Sequence, residues 1–132
     1  MKIDERIQGD VAVLTIHGAL MSGPEVSVFH DHVKRLQLDG IVNVVVDFSN
    51  VKWFGSSMLG VMSAALASAR KVGGDIRLTG VTKKIQSILM VTKLASVFRT
   101  IEPVEKAVES FGEEAEVKVE AGVGSRANFE SR

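Results

Sequence analysis

The segment Val44–Gly60, VVVDFSNVKWFGSSMLG, decides the fold, because it changes from the pattern of a buried strand to that of a helix. Its first part is a nearly continuous run of β-branched and aromatic residues, which is typical of a strand covered on both faces. Asp47, Ser49 and Asn50 follow with side chains that favour turns. We therefore predict that a buried, parallel strand ends at Asp47.

From Leu59 onward the apolar residues follow a helical period, which predicts a helix over about Ser57–Val72. Ser56 and Ser57 then lie where a parallel strand passes into its crossover helix, the edge at which ligands and partners usually dock. A serine there can cap the unpaired N–H groups of the first helical turn. A phosphate on the same hydroxyl is also tolerated there, because those N–H groups carry partial positive charge.

A resemblance to a known family covers the same stretch. The segment Asp47–Gly60, DFSNVKWFGSSMLG, resembles the D-L-S-x-V-x-x-hydrophobic-D-S-S-G-L-G signature of the STAS domain. This family includes bacterial anti-sigma factor antagonists and the tails of sulfate transporters. The order of elements matches the family over residues 1–111, so the resemblance implies a single STAS domain there.

The resemblance implies a function for the serine pair. In the antagonists an anti-sigma factor that is also a kinase phosphorylates the first serine, which corresponds to Ser56. The chain departs from the signature at Gly55, where the family commonly has Asp, and at Met58, where it has Gly. Because of these departures, we expect Met58 to place an apolar side chain on the exposed first turn, as a contact for the partner.

Other partner contacts are predicted around the serines. Trp53 is interpreted either as buried packing beneath the loop or as a partly exposed anchor for a partner. Phe54 is expected to be buried. Lys83 and Lys84 begin the next helix. They are interpreted either as solvated or, if that helix end lies near the serines, as groups that pair with a phosphate or an acidic partner. The predicted partner-binding residues are thus Trp53, Ser56, Ser57, Met58, Lys83 and Lys84.

The rest of the chain predicts an α/β fold. A hairpin is expected over Ile3–Ile16, a capping box at Ser22–Glu25 and a strand near Val97–Ile101. The element order ββαβαβαβα predicts a mixed β-sheet covered by about four helices. Residues 112–132 are rich in glutamate and small residues, so we expect a mostly disordered tail.

Composition excludes several classes of function. Sixteen basic residues balance sixteen acidic ones, which leaves no overall electrostatic footprint for nucleic acid or an anionic membrane. With no cysteine, disulfides and thiolate chemistry are excluded, as suits a reducing compartment. No apolar run approaches the length of a membrane span, and the first residues do not resemble a signal peptide. We therefore expect a cytoplasmic protein without membrane insertion or direct binding of nucleic acid.

The sequence offers no catalytic centre. Neither serine has glycine at both second neighbours, so the nucleophile elbow of hydrolases is absent. His17 lies at the end of a strand, while His30 and His32 point to different faces of a helix. We interpret all three as structural or surface residues, and we predict no metal, cofactor or catalytic residue.

The preferred interpretation is therefore a binding switch rather than an enzyme. The resemblance implies that the unphosphorylated protein binds an anti-sigma factor kinase and releases a sigma factor, and that phosphorylation of Ser56 breaks this contact. One alternative is a non-switching STAS scaffold in a signalling or lipid-transport complex, which the departures at Gly55 and Met58 favour. Another is an enzymatic or small-ligand site at the serine loop, which the absence of a base disfavours. Homo-oligomerisation stays open.

Overall fold

The computed structural model describes residues 2–20 and 24–112, and these form an α/β fold with a mixed sheet, as predicted. The predicted capping box falls partly, and the predicted tail almost entirely, outside the described residues. In chain order the elements are β1 (Lys2–Gln8), β2 (Val11–Leu20), α1 (Pro24–Leu38), β3 (Asn43–Phe54), α2 (Ser56–Lys71), β4 (Asp75–Thr79), α3 (Lys83–Val91), a 3-10 turn (Leu94–Ser96) and α4 (104–112).

The sheet has the order β1-β2-β3-β4. The predicted hairpin is confirmed: β1 and β2 are antiparallel, and Gly9 at the turn has a φ of 63°, which favours glycine. β2, β3 and β4 are parallel to one another. Consequently α2 and α3 both begin at the edge of the sheet where the parallel strands end, which we call the carboxyl edge.

β3 is longer than the sequence predicted, and the expected end of the strand at Asp47 is wrong. Asp47 opposite Thr79 is the last pair between β3 and β4, but β3 continues along β2 as far as Phe54. Two register irregularities in the β2–β3 pairing absorb the turn-forming residues. One Asp47 carboxylate oxygen accepts a hydrogen bond of 2.9 Å from the Ser49 N–H, so the side chain stabilises a local kink instead of ending the strand.

The strand expected near Val97–Ile101 is reduced to one bridge. Thr100 pairs in parallel with Leu78. The Leu78 N–H donates to the Arg99 carbonyl, and the Leu78 carbonyl accepts from the Ile101 N–H, both at 2.9 Å. The 3-10 turn occupies the residues before it. The ladder cannot extend far beyond this bridge, because Pro103 lacks an N–H.

The two faces of the sheet are covered differently. The front face packs against α1, α2 and α3 in the main core, which includes Phe29, Phe48 and Leu78. The back face packs against α4 in a smaller cluster of Val11, Val13, Val45, Ala107 and Phe111. The central strand β3 is therefore covered on both faces, as its composition predicted.

Among residues 2–20 and 24–112, Arg77 is the one charged residue that is buried, and it lies in this back layer. Only 2% of it is exposed. Its Nε donates to Asp75 at 3.1 Å and its Nη1 donates to the Ser110 hydroxyl at 2.6 Å, while the guanidinium lies 4.0 Å from the centre of the Phe111 ring. These contacts attach α4 to the edge of the sheet and satisfy a charge that would otherwise be costly to bury.

Candidate functional site

The serine pair lies at the carboxyl edge, on the first turn of α2. Ser56 is the first residue of this helix and follows β3 after the single residue Gly55. Both Ser56 and Ser57 are exposed to solvent. Ser56 is thus accessible at a helix N-terminus, as expected, and both hydroxyls can be reached by another protein.

The capping interpretation of the serines is wrong. Gly55 occupies the N-cap position with extended backbone angles (φ −96°, ψ −180°), and no side chain caps the helix. The Met58 N–H donates to the Gly55 carbonyl at 3.1 Å. No acidic residue stands in the first turn of α2. The positive end of this helix is therefore neutralised by neither a cap nor a carboxylate of its own first turn.

Met58 does not lie on the surface, contrary to the prediction. It is fully buried and belongs to the main core. The cause is helical spacing, because Met58, Met62, Ala65 and Ala69 all fall on the inward face of α2. Met58 therefore anchors the first turn from beneath and offers no direct contact to a partner.

The two aromatic residues before the serines have different environments. Phe54 is buried, as expected, and its ring packs edge to face on Phe48 with centroids 5.6 Å apart. Trp53 is half-buried and lies in the last two residues of β3, three positions before Ser56. This agrees with the interpretation of Trp53 as a partly exposed residue.

Lys83 and Lys84 form the exposed first turn of α3 at the carboxyl edge. The Thr82 hydroxyl caps this helix by accepting from the Ile85 N–H at 3.4 Å. Neither lysine makes an ion pair among the described residues. Both cations can therefore meet a partner on the side of the sheet where Ser56 lies.

Glu102 holds the loop before these lysines, a role that sequence reasoning missed. Its carboxylate accepts hydrogen bonds from the Thr79 hydroxyl (3.0 Å), the Gly80 N–H (2.8 Å) and the Val81 N–H (3.1 Å). The same loop packs tightly on β3, since a Cβ on Gly80 would clash with an Asp47 carboxylate oxygen. Only tertiary folding brings Glu102 to this loop, so no local pattern could reveal the contact.

Each histidine lies beside a carboxylate, and the three are not brought together in a catalytic arrangement. His17 contacts Asp4 at 2.9 Å on the back face of the hairpin, and His32 contacts Glu5 on the front face. His30 faces Asp31 at 4.0 Å. Within residues 2–20 and 24–112, no three histidine or acidic side chains are grouped so that they could hold a metal ion.

The described cavity is separate from the serines. It has a volume of about 370 Å³ and lies between α4 and the segment that carries Thr100. None of the predicted site residues lines it. Its walls are formed by Arg99, Ile101, Lys106, Glu109 and Ser110.

None of the described helices combines the length and the apolar character that are needed to cross a bilayer.

Solved structures with a similar fold include several anti-sigma factor antagonists. A candidate antagonist from Thermotoga maritima has 23% sequence identity and a TM-score of 0.76, with 82% of this chain and 92% of that chain covered. SpoIIAA of Bacillus, an anti-sigma factor antagonist in its unphosphorylated form, has 12% identity and a TM-score of 0.68, with 85% and 98% covered. A sulfate transporter family protein from Wolinella succinogenes has 17% identity and a TM-score of 0.66, with 84% and 92% covered.

These likenesses establish the shared fold, and the sequence itself establishes the family. The STAS domain family model matches residues 2–109, which is most of the chain. The exposed serine pair at the start of α2 and the preceding long strand lie within this match. The chain therefore belongs to the STAS domain family.

Proposed function

We propose that this protein is an anti-sigma factor antagonist that binds an anti-sigma factor kinase in a switch controlled by phosphorylation of Ser56. The observation that carries the proposal is the exposure of Ser56 on the first turn of α2, at the carboxyl edge of the sheet. In the unphosphorylated state the protein occupies the anti-sigma factor, and a sigma factor is released. The protein acts by binding, not by catalysis.

The contact surface is made from side chains that remain accessible around the serine pair. The half-buried Trp53 supplies an aromatic contact of the type enriched in binding hot spots. Ser56 and Ser57 supply hydroxyl groups, and Lys83 and Lys84 supply positive charge at the same edge. Met58 contributes indirectly, because its burial fixes the first turn on which the serines stand.

Phosphorylation changes the charge of this surface while leaving the helix in place. A phosphate on Ser56 adds about −1.5 to −2 charges at pH 7. Because α2 has neither a capping side chain nor an acidic residue in its first turn, its N-terminus accommodates that charge favourably. The partner is therefore released by repulsion and by the cost of desolvating the phosphate, without unfolding of the helix.

A second candidate function is a non-switching scaffold. It is favoured by one specific observation, the glycine at position 55, where antagonists commonly carry an aspartate that a kinase can contact. In this chain Gly55 serves as the bare N-cap of α2. A scaffold would use the same surface for docking but would not be phosphorylated.

Two matched variants test the switch. The partner is captured from native cells with the wild-type chain, identified, and titrated against Ser56→Ala, Ser57→Ala and protein phosphorylated by the captured kinase. We expect Ser56→Ala to bind constitutively, Ser57→Ala to be phosphorylated and then released like the wild type, and phosphorylated protein to bind much more weakly. Mass spectrometry of the native protein locates the modified serine.

The outcomes separate the two candidates. Phosphate on Ser56 together with loss of binding supports the switch. A captured partner without kinase activity, bound equally by Ser56→Ala and wild type, points to the scaffold. Phosphorylation of Ser57 alone would contradict the role of Ser56.

A further inference from the structure

Exposed apolar side chains are concentrated at one end of the molecule. Seven large apolar residues among the described ones are exposed. Four of these lie at or just after the C-terminal ends of the front-face helices, and a fifth follows the 3-10 turn after α3. We call these five the apolar rim. They are Leu38 (86% exposed) at the end of α1, Val72 (58%) after α2, Met90 (62%) and Val91 (83%) at the end of α3, and Val97 (40%) after the 3-10 turn.

Contacts between the helix ends make the rim a connected surface. The Asp75 N–H donates to the Val42 carbonyl at 3.2 Å, so the connection after α2 lies against the connection after α1. Arg70, in the last turn of α2, donates to the Val97 carbonyl at 3.1 Å. The 3-10 turn that precedes Val97 packs in turn on α3. The rim therefore runs across all three helix ends.

Each of the three helix ends also carries an exposed lysine. Lys34 precedes Leu38 by one helical turn, Lys71 adjoins Val72, and Lys93 follows Val91 by two residues. None of the three makes an ion pair among the described residues. The helix dipole explains basic residues at these positions, but it does not explain the exposed apolar residue beside each of them.

The acidic residues at this end do not offset the lysines. Asp75 is mostly buried and is held by Arg70 and Arg77, each at 3.1 Å. Asp39 is the exposed acidic residue at the end of α1. Asp10, exposed at the hairpin turn beside the start of β2, is a second one at the same edge of the sheet. Three exposed lysines thus stand against two exposed aspartates at this edge, although the whole chain has no net charge.

We infer that the apolar rim, with Lys34, Lys71 and Lys93, is a contact surface for an anionic lipid bilayer. Apolar residues that enter the interface and lysines that meet anionic headgroups are the two components of peripheral membrane binding. A second copy docked rim to rim would bring the lysines together, which like-charge repulsion disfavours. A flat bilayer can meet several helix ends at once, whereas an acidic protein partner needs a matching shape.

The topology places this surface away from the serine pair. α1, α2 and α3 lead back from the carboxyl edge, so their C-terminal ends lie at the opposite edge of the sheet. A protein bound to lipid through the rim keeps Ser56 directed away from the membrane. The inference therefore does not depend on the proposed antagonist function.

Flotation of the full chain with vesicles tests the inference. The probes are vesicles of phosphatidylglycerol and phosphatidylcholine in equal parts, and vesicles of phosphatidylcholine alone. We expect binding to the anionic vesicles only, weakened by added salt. Lys93→Glu should weaken binding at least about five-fold, since a lysine near an anionic surface contributes about that factor. Val91→Asp should weaken it further, because it places a charge in the apolar contact.

Two control variants carry the same changes at other exposed positions. Val28→Asp alters an exposed valine on α1 outside the rim, and Lys83→Glu reverses a charge at the carboxyl edge. Both should bind vesicles like the wild type, and circular dichroism confirms that every variant is folded. Absence of vesicle binding, or an equal loss in the control variants, would overturn the inference. If the wild-type chain does not bind vesicles but self-associates, and Val91→Asp abolishes the self-association, the rim is a contact for a second copy and the membrane inference is wrong.

Discussion

The first turns of α2 and α3 begin at the same edge of the sheet but are supported in different ways. α3 begins with a side-chain cap from Thr82, and Glu102 accepts three hydrogen bonds from the residues just before it. α2 begins at Gly55 with no side-chain cap, and its first two residues are exposed serines. Beneath them, the buried Met58 is what holds the turn.

The first turn of α3 is thus supported by polar groups, and the first turn of α2 by an apolar side chain. Polar groups that brace a helix N-terminus also occupy it, which prevents a phosphate or a partner from using the same N–H groups. An apolar anchor from beneath leaves the outer surface unoccupied. The start of α3 is thus built for stability, while the start of α2 combines a fixed position with an accessible surface.

The largest expected effect is at the anchor of α2. Met58→Ala should lower the free energy of unfolding by about 2–5 kcal/mol, because it leaves a cavity under the serine turn. Urea denaturation measures the loss. Met58→Leu is the matched control, since a swap of similar volume should cost less than about 1.5 kcal/mol. A negligible loss in Met58→Ala would mean that the turn is not anchored from the core.

The next effect concerns the polar brace of α3. Glu102→Ala should cost about 1–3 kcal/mol, because the Thr79 hydroxyl is buried and would lose its acceptor. Glu102→Gln retains one acceptor oxygen and should fall between the alanine variant and the wild type. Hydrogen exchange should locate the added mobility at residues 79–82. Unchanged exchange in this loop would show that the carboxylate does not hold it.

A pair of substitutions tests whether a hydroxyl stabilises the start of α3 but not the start of α2. Thr82→Ala removes the cap of α3 and should cost about 1 kcal/mol. Ser57→Ala removes a hydroxyl that caps nothing and should change stability by less than about 0.5 kcal/mol. Thermal melts of the two variants give the difference. Equal losses would show that the serine supports its helix after all.

The smallest effect has the opposite sign. Ser56→Asp places a negative charge at the uncapped N-terminus of α2 and should raise stability by about 0.3–1 kcal/mol at low ionic strength. The gain should shrink in added salt, because the side chain is exposed. A destabilised variant would contradict the view that this helix end tolerates a phosphate without unfolding.

Much of this arrangement follows from local sequence patterns. Alternation predicted the hairpin, the β-branched run predicted a strand covered on both faces, and a change of period placed Ser56 at the start of a helix. The burial of Met58 was also within reach of the sequence, because Met58 and Met62 are spaced like residues on one helical face. The family signature, with a glycine at this position, favours a surface location, but the helical spacing decides the outcome.

The remaining features depend on contacts between distant segments. Turn-forming residues after Asp47 predicted the end of β3, but β2 continues beside it and the extra residues form bulges. The brace from Glu102 joins residues more than twenty positions apart, and no local period reports it. The bare N-cap at Gly55 also follows from where β3 ends, which the pairing with β2 decides.

The course of the chain has a practical consequence for labelling experiments. Lys2 pairs with His17, near the end of β2 that lies at the carboxyl edge. In contrast, α4 starts beside Glu102 and runs over the back face to residue 112. A fluorescent protein fused ahead of Lys2 would therefore crowd the edge that carries Ser56. The same reporter fused directly after residue 112 would start from the end of α4, away from that edge, and imaging or pull-down assays should use that arrangement.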